Sequence, residues 1–278
     1  MDWLISVVTV LNTITNAIFG VLFAPCGWMP GWLSNTLISA VMGVALLFVF
    51  KHTSNQAAIG RVRDSISANL LAVRLYKDNI SVTLRSQGRV FLASFKLLYY
   101  SIVPLLVMMV PVILVLAQMG LWYQFAPLSK GSERVIVKLE LGGQAGAITN
   151  IEMEPNDAVE VELGPVRAAS SLYWRLKMVE EGEHRLVFRS GEEKIEKQLV
   201  IGRGYKRINP VRPGRNIWDV LLYPLEKPFA PDSAIQSISI EYPTRDSFVS
   251  GTDLWIIYFF VVSMIFAFAF KPYLKVRI

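Results

Sequence analysis

Charge is missing from long stretches of this chain, and that limits its fold more than any other feature. Gly31 to Phe50, Leu97 to Gln118 and Leu254 to Phe270 contain no Lys, Arg, Asp or Glu. Each approaches the roughly 20 residues that an apolar helix needs to cross a bilayer core. The 278 residues are 53% hydrophobic and 18% charged, against about 25% charged in an ordinary soluble domain. That balance excludes a disordered chain, and a single cysteine excludes a disulfide scaffold or a cysteine-based metal site. The first expectation is an α-helical membrane protein with three spans.

A fourth uncharged stretch, Trp3 to Ala24, is different because Ser6, Thr9, Thr13, Asn16 and Gly20 draw a weakly polar stripe down one helical face. Residues 1–30 are therefore read as an interfacial helix, with a fourth span as the competing reading. Met1-Asp2 offers no basic leader region, and no small-x-small site follows the first apolar run, so no cleavable signal is expected. Pro25 stands directly before Cys26, where a lipoprotein signal wants a small residue, so Cys26 is read as an apolar interface residue.

Charge between the spans sets the orientation, since Lys and Arg near span ends stay cytoplasmic. Lys51 to Lys96 holds eight basic residues against Asp64 and Asp78, a net charge of +6, whereas Gln124 to Thr252 holds 17 basic and 18 acidic residues, a net of −1. The tail adds Lys271, Lys275 and Arg277 without an acid. Residues 51–96 and the C-terminus are thus expected in the cytoplasm and residues 124–252 outside it, as in a bacterial cytoplasmic membrane. The domains are then 1–30, 31–123 with the cytoplasmic segment 51–96, 124–252, and 253–278.

Residues 51–96 are helical in pattern. Ile59, Val62, Ile66, Leu70 and Val73 recur at three or four, as do Ile80, Leu84, Gly88, Phe91 and Phe95. With a break at Lys77-Asp78-Asn79, the economical arrangement is an antiparallel, coiled-coil-like hairpin whose two stripes face each other. Arg61, Arg63, Arg85 and Arg89 lie mostly off those stripes. They form either a solvated face attracted to anionic lipid or a docking surface for an acidic partner or a ribosome.

Pro104 and Pro111 are expected to bend or loosen the second span. Asn35, Thr36 and Ser39 in the first span, Met108 and Gln118 in the second, and Ser263 in the third put polar or soft groups at membrane depth. Such residues are either helix-packing contacts or the lining of a shallow polar groove.

The segment 124–252 reads as β. Val135, Val137, Leu139 and Leu141 alternate with polar or exposed positions, as do Val159, Val161 and Leu163, then Trp174, Leu176 and Met178, then Leu186 and Phe188. Ile195 to Ile201, and Ile238, Ile240 and Tyr242, supply further strands, so an extracytoplasmic, immunoglobulin-like β-sandwich is expected. Between them Ile208 to Ser233 carries five prolines and a short apolar cluster that includes Trp218, Leu221 and Leu222. That cluster is either an amphipathic patch on a membrane or partner, or a loop plugging one end of the sandwich.

No catalytic constellation is present. His52 and His184 are the only histidines and fall on opposite sides of the expected membrane, and no Walker or GxGxxG loop occurs. Neither an enzyme nor a cofactor is expected, and DNA is not an expected partner.

A span, a basic helical hairpin (Lys51 to Lys96) and a returning span with prolines (Leu97 to Gln118), followed by a further span, resemble the core of the YidC/Oxa/Alb membrane-protein insertase superfamily, most of all its compact three-span members. The segment Phe50-Lys51-His52-Thr53-Ser54-Asn55-Gln56 and the stretch Pro104 to Gln118 also look like a group of bacterial membrane proteins with this layout. The resemblance implies an intramembrane groove open to the cytoplasm, with the hairpin receiving a client helix. On this sequence the groove candidates are Asn35, Ser39, Lys51, Lys96, Pro104, Met108 and Gln118, with Lys51 and Lys96 at its mouths. The chain departs from the family in two ways: no Lys or Arg lies inside a span, and a β-domain replaces a short loop between the second and third spans. Two functions stay open. One is assistance to client membrane proteins, and the other is a non-catalytic accessory subunit of a larger membrane complex. Membrane lipids are partners in either case.

Overall fold

The computed structural model describes residues 2–76, 78–131, 135–142, 151–191, 193–231, 233–245, 247 and 254–276. Four long helices come first: α1 (Asp2–Phe23), α2 (Gly31–Thr53), α3 (Gln56–Leu75) and α4 (Ile80–Tyr123). Strands β1 (Val135–Leu141), β2 (Ile151–Met153), β3 (Val159–Ala168), β4 (Ser171–Met178), β5 (Gly182–Ser190), β6 (Glu193–Ile201) and β7 (Val211–Arg212) follow. Helix α5 (Ile217–Leu222), strand β8 (Ile235–Ile240) and helix α6 (Leu254–Leu274) complete the chain. It divides into two compact units, Met1–Asn35 with Leu114–Tyr258, and Thr36–Ile113 with Phe259–Ile278.

The uncharged windows all become helices. By length and composition α1, α2, α4 and α6 are each long and apolar enough to cross a membrane, so those measures alone do not set α1 apart. Helix α4 has 44 residues, about 66 Å at 1.5 Å per residue, roughly twice a bilayer hydrocarbon core. It stays helical through Pro104 and Pro111.

In the second unit, Asn55 caps α3 by accepting from the Ala58 N–H at 3.0 Å. Asn79 does the same for α4 through Val82 at 3.2 Å. Each side chain satisfies one of the N–H groups that a helix start leaves open. The chain turns at 76–79, with the Asn79 N–H donating to the Tyr76 carbonyl at 2.9 Å; Lys77, part of the expected break, lies outside the described residues. On α3, Ile59 is buried and Val62, Ile66 and Val73 are half-buried, but Leu70 is exposed.

On α4 the expected stripe needs correction. Ile80, Leu84, Phe91 and Phe95 are 61 to 75% exposed, while Ser86 and Ala93 are buried and Val82 and Val90 half-buried. Small side chains let neighbouring backbones approach, so the large apolar residues point outward. The periodicity marked an amphipathic face without saying what covers it. Helices α2 and α6 approach just as closely: a Cβ placed on Gly43 would collide with the Ser263 backbone.

In the first unit two antiparallel sheets, ordered β3-β4-β1-β8-β7 and β2-β5-β6, close over one apolar core. Val137, Leu139, Leu176, Leu186, Phe188, Leu199 and Ile238 are fully buried there. Register puts Val137 opposite both Trp174 and Ile240, and the Trp174 and Phe188 rings lie 5.2 Å apart. The strand order is not that of an immunoglobulin domain, in which the first, second, fourth and fifth strands share a sheet. Expected alternation also breaks in β3, where Val161 and Leu163 are 45 and 51% exposed. This is an edge strand whose register slips between Val161 and Leu163 and again before Val166, and each slip turns side chains off the core face. The slip passes Gly164, at φ +137°, where a Cβ would stand 2.7 Å from Trp174 Cδ1.

Candidate functional site

Both helices of the turn at 76–79 line one basic groove of about 310 Å³. Helix α3 contributes Arg61, Val62, Ser65 and Asn69, and α4 contributes Arg89, Leu92, Ala93 and Lys96. The spacing explains the convergence, since residues three or four apart share a helix face; Arg61, Ser65 and Asn69 lie on one, and Arg89, Ala93 and Lys96 on the other. No acidic residue lines the groove. Among the described residues, none of the three cations has a carboxylate within 4.0 Å. Three unneutralised positive charges beside Val62 and Leu92 suit an amphipathic, negatively charged ligand. Arg63 and Arg85 are exposed and do not line it.

The groove candidates named from the sequence are divided between the two units. Asn35 and Ser39 are fully buried, Pro104 is buried, and Lys51 and Met108 are half-buried. Asn35 and Gln118 belong to the unit that carries the sandwich, and Ser39, Lys51, Lys96, Pro104 and Met108 to the other. Lys51 sits in the last turn of α2, where a cation complements the helix dipole.

Gln118, only 1% exposed, is taken up by a polar joint instead. Its Nε2 donates to Asn16 Oδ1 at 2.7 Å and Thr15 Oγ1 at 3.3 Å, and its Oε1 accepts from Arg207 Nη2 at 2.5 Å. Arg207 also donates to Asn16 Oδ1 and to the Asn16 carbonyl. Burial pushes the Arg207 guanidinium below its usual range, and its partners are neutral oxygens. Sequence reasoning noted Asn16 in the polar stripe but missed Arg207. The available signal was Asn12 and Asn16, four apart in the uncharged stretch Trp3 to Ala24, which demand partners from elsewhere.

On α5, Trp218 and Leu222 are 62 and 47% exposed and Leu221 half-buried, while Val220 is buried. The Val220 carbonyl accepts from Asn12 Nδ2 at 2.6 Å. Among the described residues no group of three His, Cys, Asp or Glu side chains could hold a metal ion.

Comparison with family models, with curated proteins and with solved structures gave no match.

Proposed function

We propose that this chain is an integral membrane protein of YidC/Oxa-like type that assists the insertion or folding of client membrane proteins. The observation that carries this reading is the groove formed by Arg61, Arg89 and Lys96, with apolar Val62 and Leu92 beside the charges. A client segment with acidic flanks finds both of its needs met there, and long-range attraction speeds its arrival. The accompanying topology has three crossings, made by α2, the C-terminal half of α4 and α6. It places the α3/α4 turn and the C-terminus in the cytoplasm of a bacterial cell and the sandwich outside it. A second reading, a non-catalytic accessory subunit, is favoured by one observation: Asn35 and Ser39, two of the polar residues of the first span, are fully buried.

Photo-crosslinkers at Ser65, Asn69 and Leu92, used in cells pulse-labelled during synthesis, separate the two. Client assistance predicts capture of newly made membrane segments, lost when Arg61, Arg89 and Lys96 are changed to Glu while the protein still accumulates. Capture of the same one or two stable proteins at every time point sinks that reading and leaves complex assembly.

A further inference from the structure

We propose that α1 does not cross the bilayer but lies along one leaflet beside α5, a lipid-facing contact that seats the sandwich on the membrane. The inference does not depend on client assistance.

Helix α1 has three sides. Ile5, Asn12, Phe19 and Phe23 are buried. Ser6 and Thr13 form an exposed polar flank. Trp3, Val7, Val10, Ile14, Ile18 and Val21 form an apolar stripe, each 48 to 76% exposed, at the spacing that keeps residues on one helical face.

The inner side is joined along its whole length to the unit that carries the sandwich. Asp2 Oδ1 accepts from Arg215 Nη2 at 2.5 Å, and Asn12 donates to the Val220 carbonyl. Asn16 donates to the Pro224 carbonyl at 2.7 Å and accepts from Arg207. The Phe23 ring stacks on Trp122 at 4.7 Å. From Asp2 to Phe23 a helix extends about 31 Å, close to the thickness of a hydrocarbon core. If α1 crossed with Arg215 near one face of the bilayer, Arg207, bonded to Asn16 about 21 Å further along the helix, would stand within the hydrocarbon core. They are held together by the sandwich, since Ile208 lies in its core and Val211–Arg212 pairs with β8. A crossing α1 would therefore pull a segment carrying Arg207, Arg212, Arg215 and Asp219 to membrane depth, where ionised groups are costly.

Lipid is the occupant that the apolar stripe implies. No charged residue occurs from Trp3 to Phe50, and only residues 24–30 separate α1 from α2, which is apolar enough to cross. Trp28, Trp32 and Trp218 are 57 to 79% exposed, and tryptophan is enriched where hydrocarbon meets water. Six exposed large apolar residues on one helical face form the kind of contiguous patch that marks a membrane or protein contact.

The test uses the full chain in native membrane vesicles with Cys26→Ser and single cysteines at Ser6, Val10, Thr13 or Ile14. A membrane-impermeant maleimide should label Ser6→Cys and Thr13→Cys at least tenfold faster than Val10→Cys and Ile14→Cys, so that reactivity follows helical phase rather than depth. Nitroxides at Val10 and Ile14 should be relaxed by oxygen dissolved in lipid and shielded from an aqueous nickel reagent. Equal protection of Thr13→Cys and Val10→Cys would mean a crossing helix and overturn the proposal. Nitroxides shielded from both reagents would mean that a protein, such as a second copy, covers the stripe, and would overturn it as well.

Discussion

Gln118 and Asn16, 102 positions apart in the chain, share a hydrogen bond of 2.7 Å, and the guanidinium of Arg207 closes on both. Three distant segments, α1, the end of α4 and the stretch before β7, thereby meet in one polar joint. The joint carries a cation with only neutral partners, so its strength rests on hydrogen-bond geometry rather than on ion pairing.

Arg207→Leu removes every bond from that side chain and leaves Gln118 Oε1 without its donor, while the Asn16 carbonyl keeps its place in the α1 hydrogen-bond ladder. An unpaired buried acceptor costs about 1 to 3 kcal/mol. Thermal unfolding of the detergent-purified chain should show a lower midpoint, and Gln118→Ala in the Arg207→Leu background should add little because the residues act as one network. Fully additive losses would dissolve the idea of a single joint.

Among the described residues, the sandwich contains one ion pair with a completely buried partner. Lys197, 0% exposed, donates to Glu226 and to the Asn209 carbonyl, and Glu226 also accepts from the Gln198 N–H and from Asn209 Nδ2. Burial pushes the Lys197 amine below its usual range. Glu226→Ala strands the amine and should cost about 3 to 5 kcal/mol, while Lys197→Met combined with Glu226→Gln should recover a large part. Denaturant titration followed by tryptophan fluorescence measures both; equal stability of single and double variants would refute the coupling.

Gly43 has no room for a side chain against the Ser263 backbone. Gly43→Val should force α2 and α6 apart and lower the amount of protein that accumulates in membranes, whereas Ser263→Ala should accumulate normally. Among the described residues, its hydroxyl bonds only the Phe260 carbonyl within its own helix. Normal accumulation of Gly43→Val would show that the two helices separate without penalty.

Charge predicts sidedness. A reporter active only outside the cytoplasm should work when inserted between Gln144 and Asn150, a stretch outside the described residues, and stay silent near Asn79. The reverse pattern would overturn the orientation proposed for the α3/α4 turn, and the client-binding reading with it.

Much of this was readable in one dimension. Absence of charge over about 20 residues marks a helix because a backbone in lipid must satisfy its own hydrogen bonds, and that is a local property of the chain. So is strand period: Val135, Val137, Leu139 and Leu141 alternate, and all four are buried in β1. Arg61 and Arg89 were legible as a surface of like charge, but their shared groove with Lys96 needed two helices brought side by side.

What periodicity leaves open is the identity of the neighbour. Ile80, Leu84, Phe91 and Phe95 repeat like a buried seam yet face outward, because an apolar stripe signals only that water is disfavoured there, and lipid satisfies it as well as protein does. Val161 and Leu163 left the core because a register slip on an edge strand depends on its partner β4. Composition thus determined by itself which segments avoid water and which form strands. Whether Asn16 would meet Gln118 and Arg207, and on which side of α1 the sandwich would lie, only the tertiary structure decided. A buried polar group states that it needs a partner, but the partner is selected by the folding of segments about a hundred residues away.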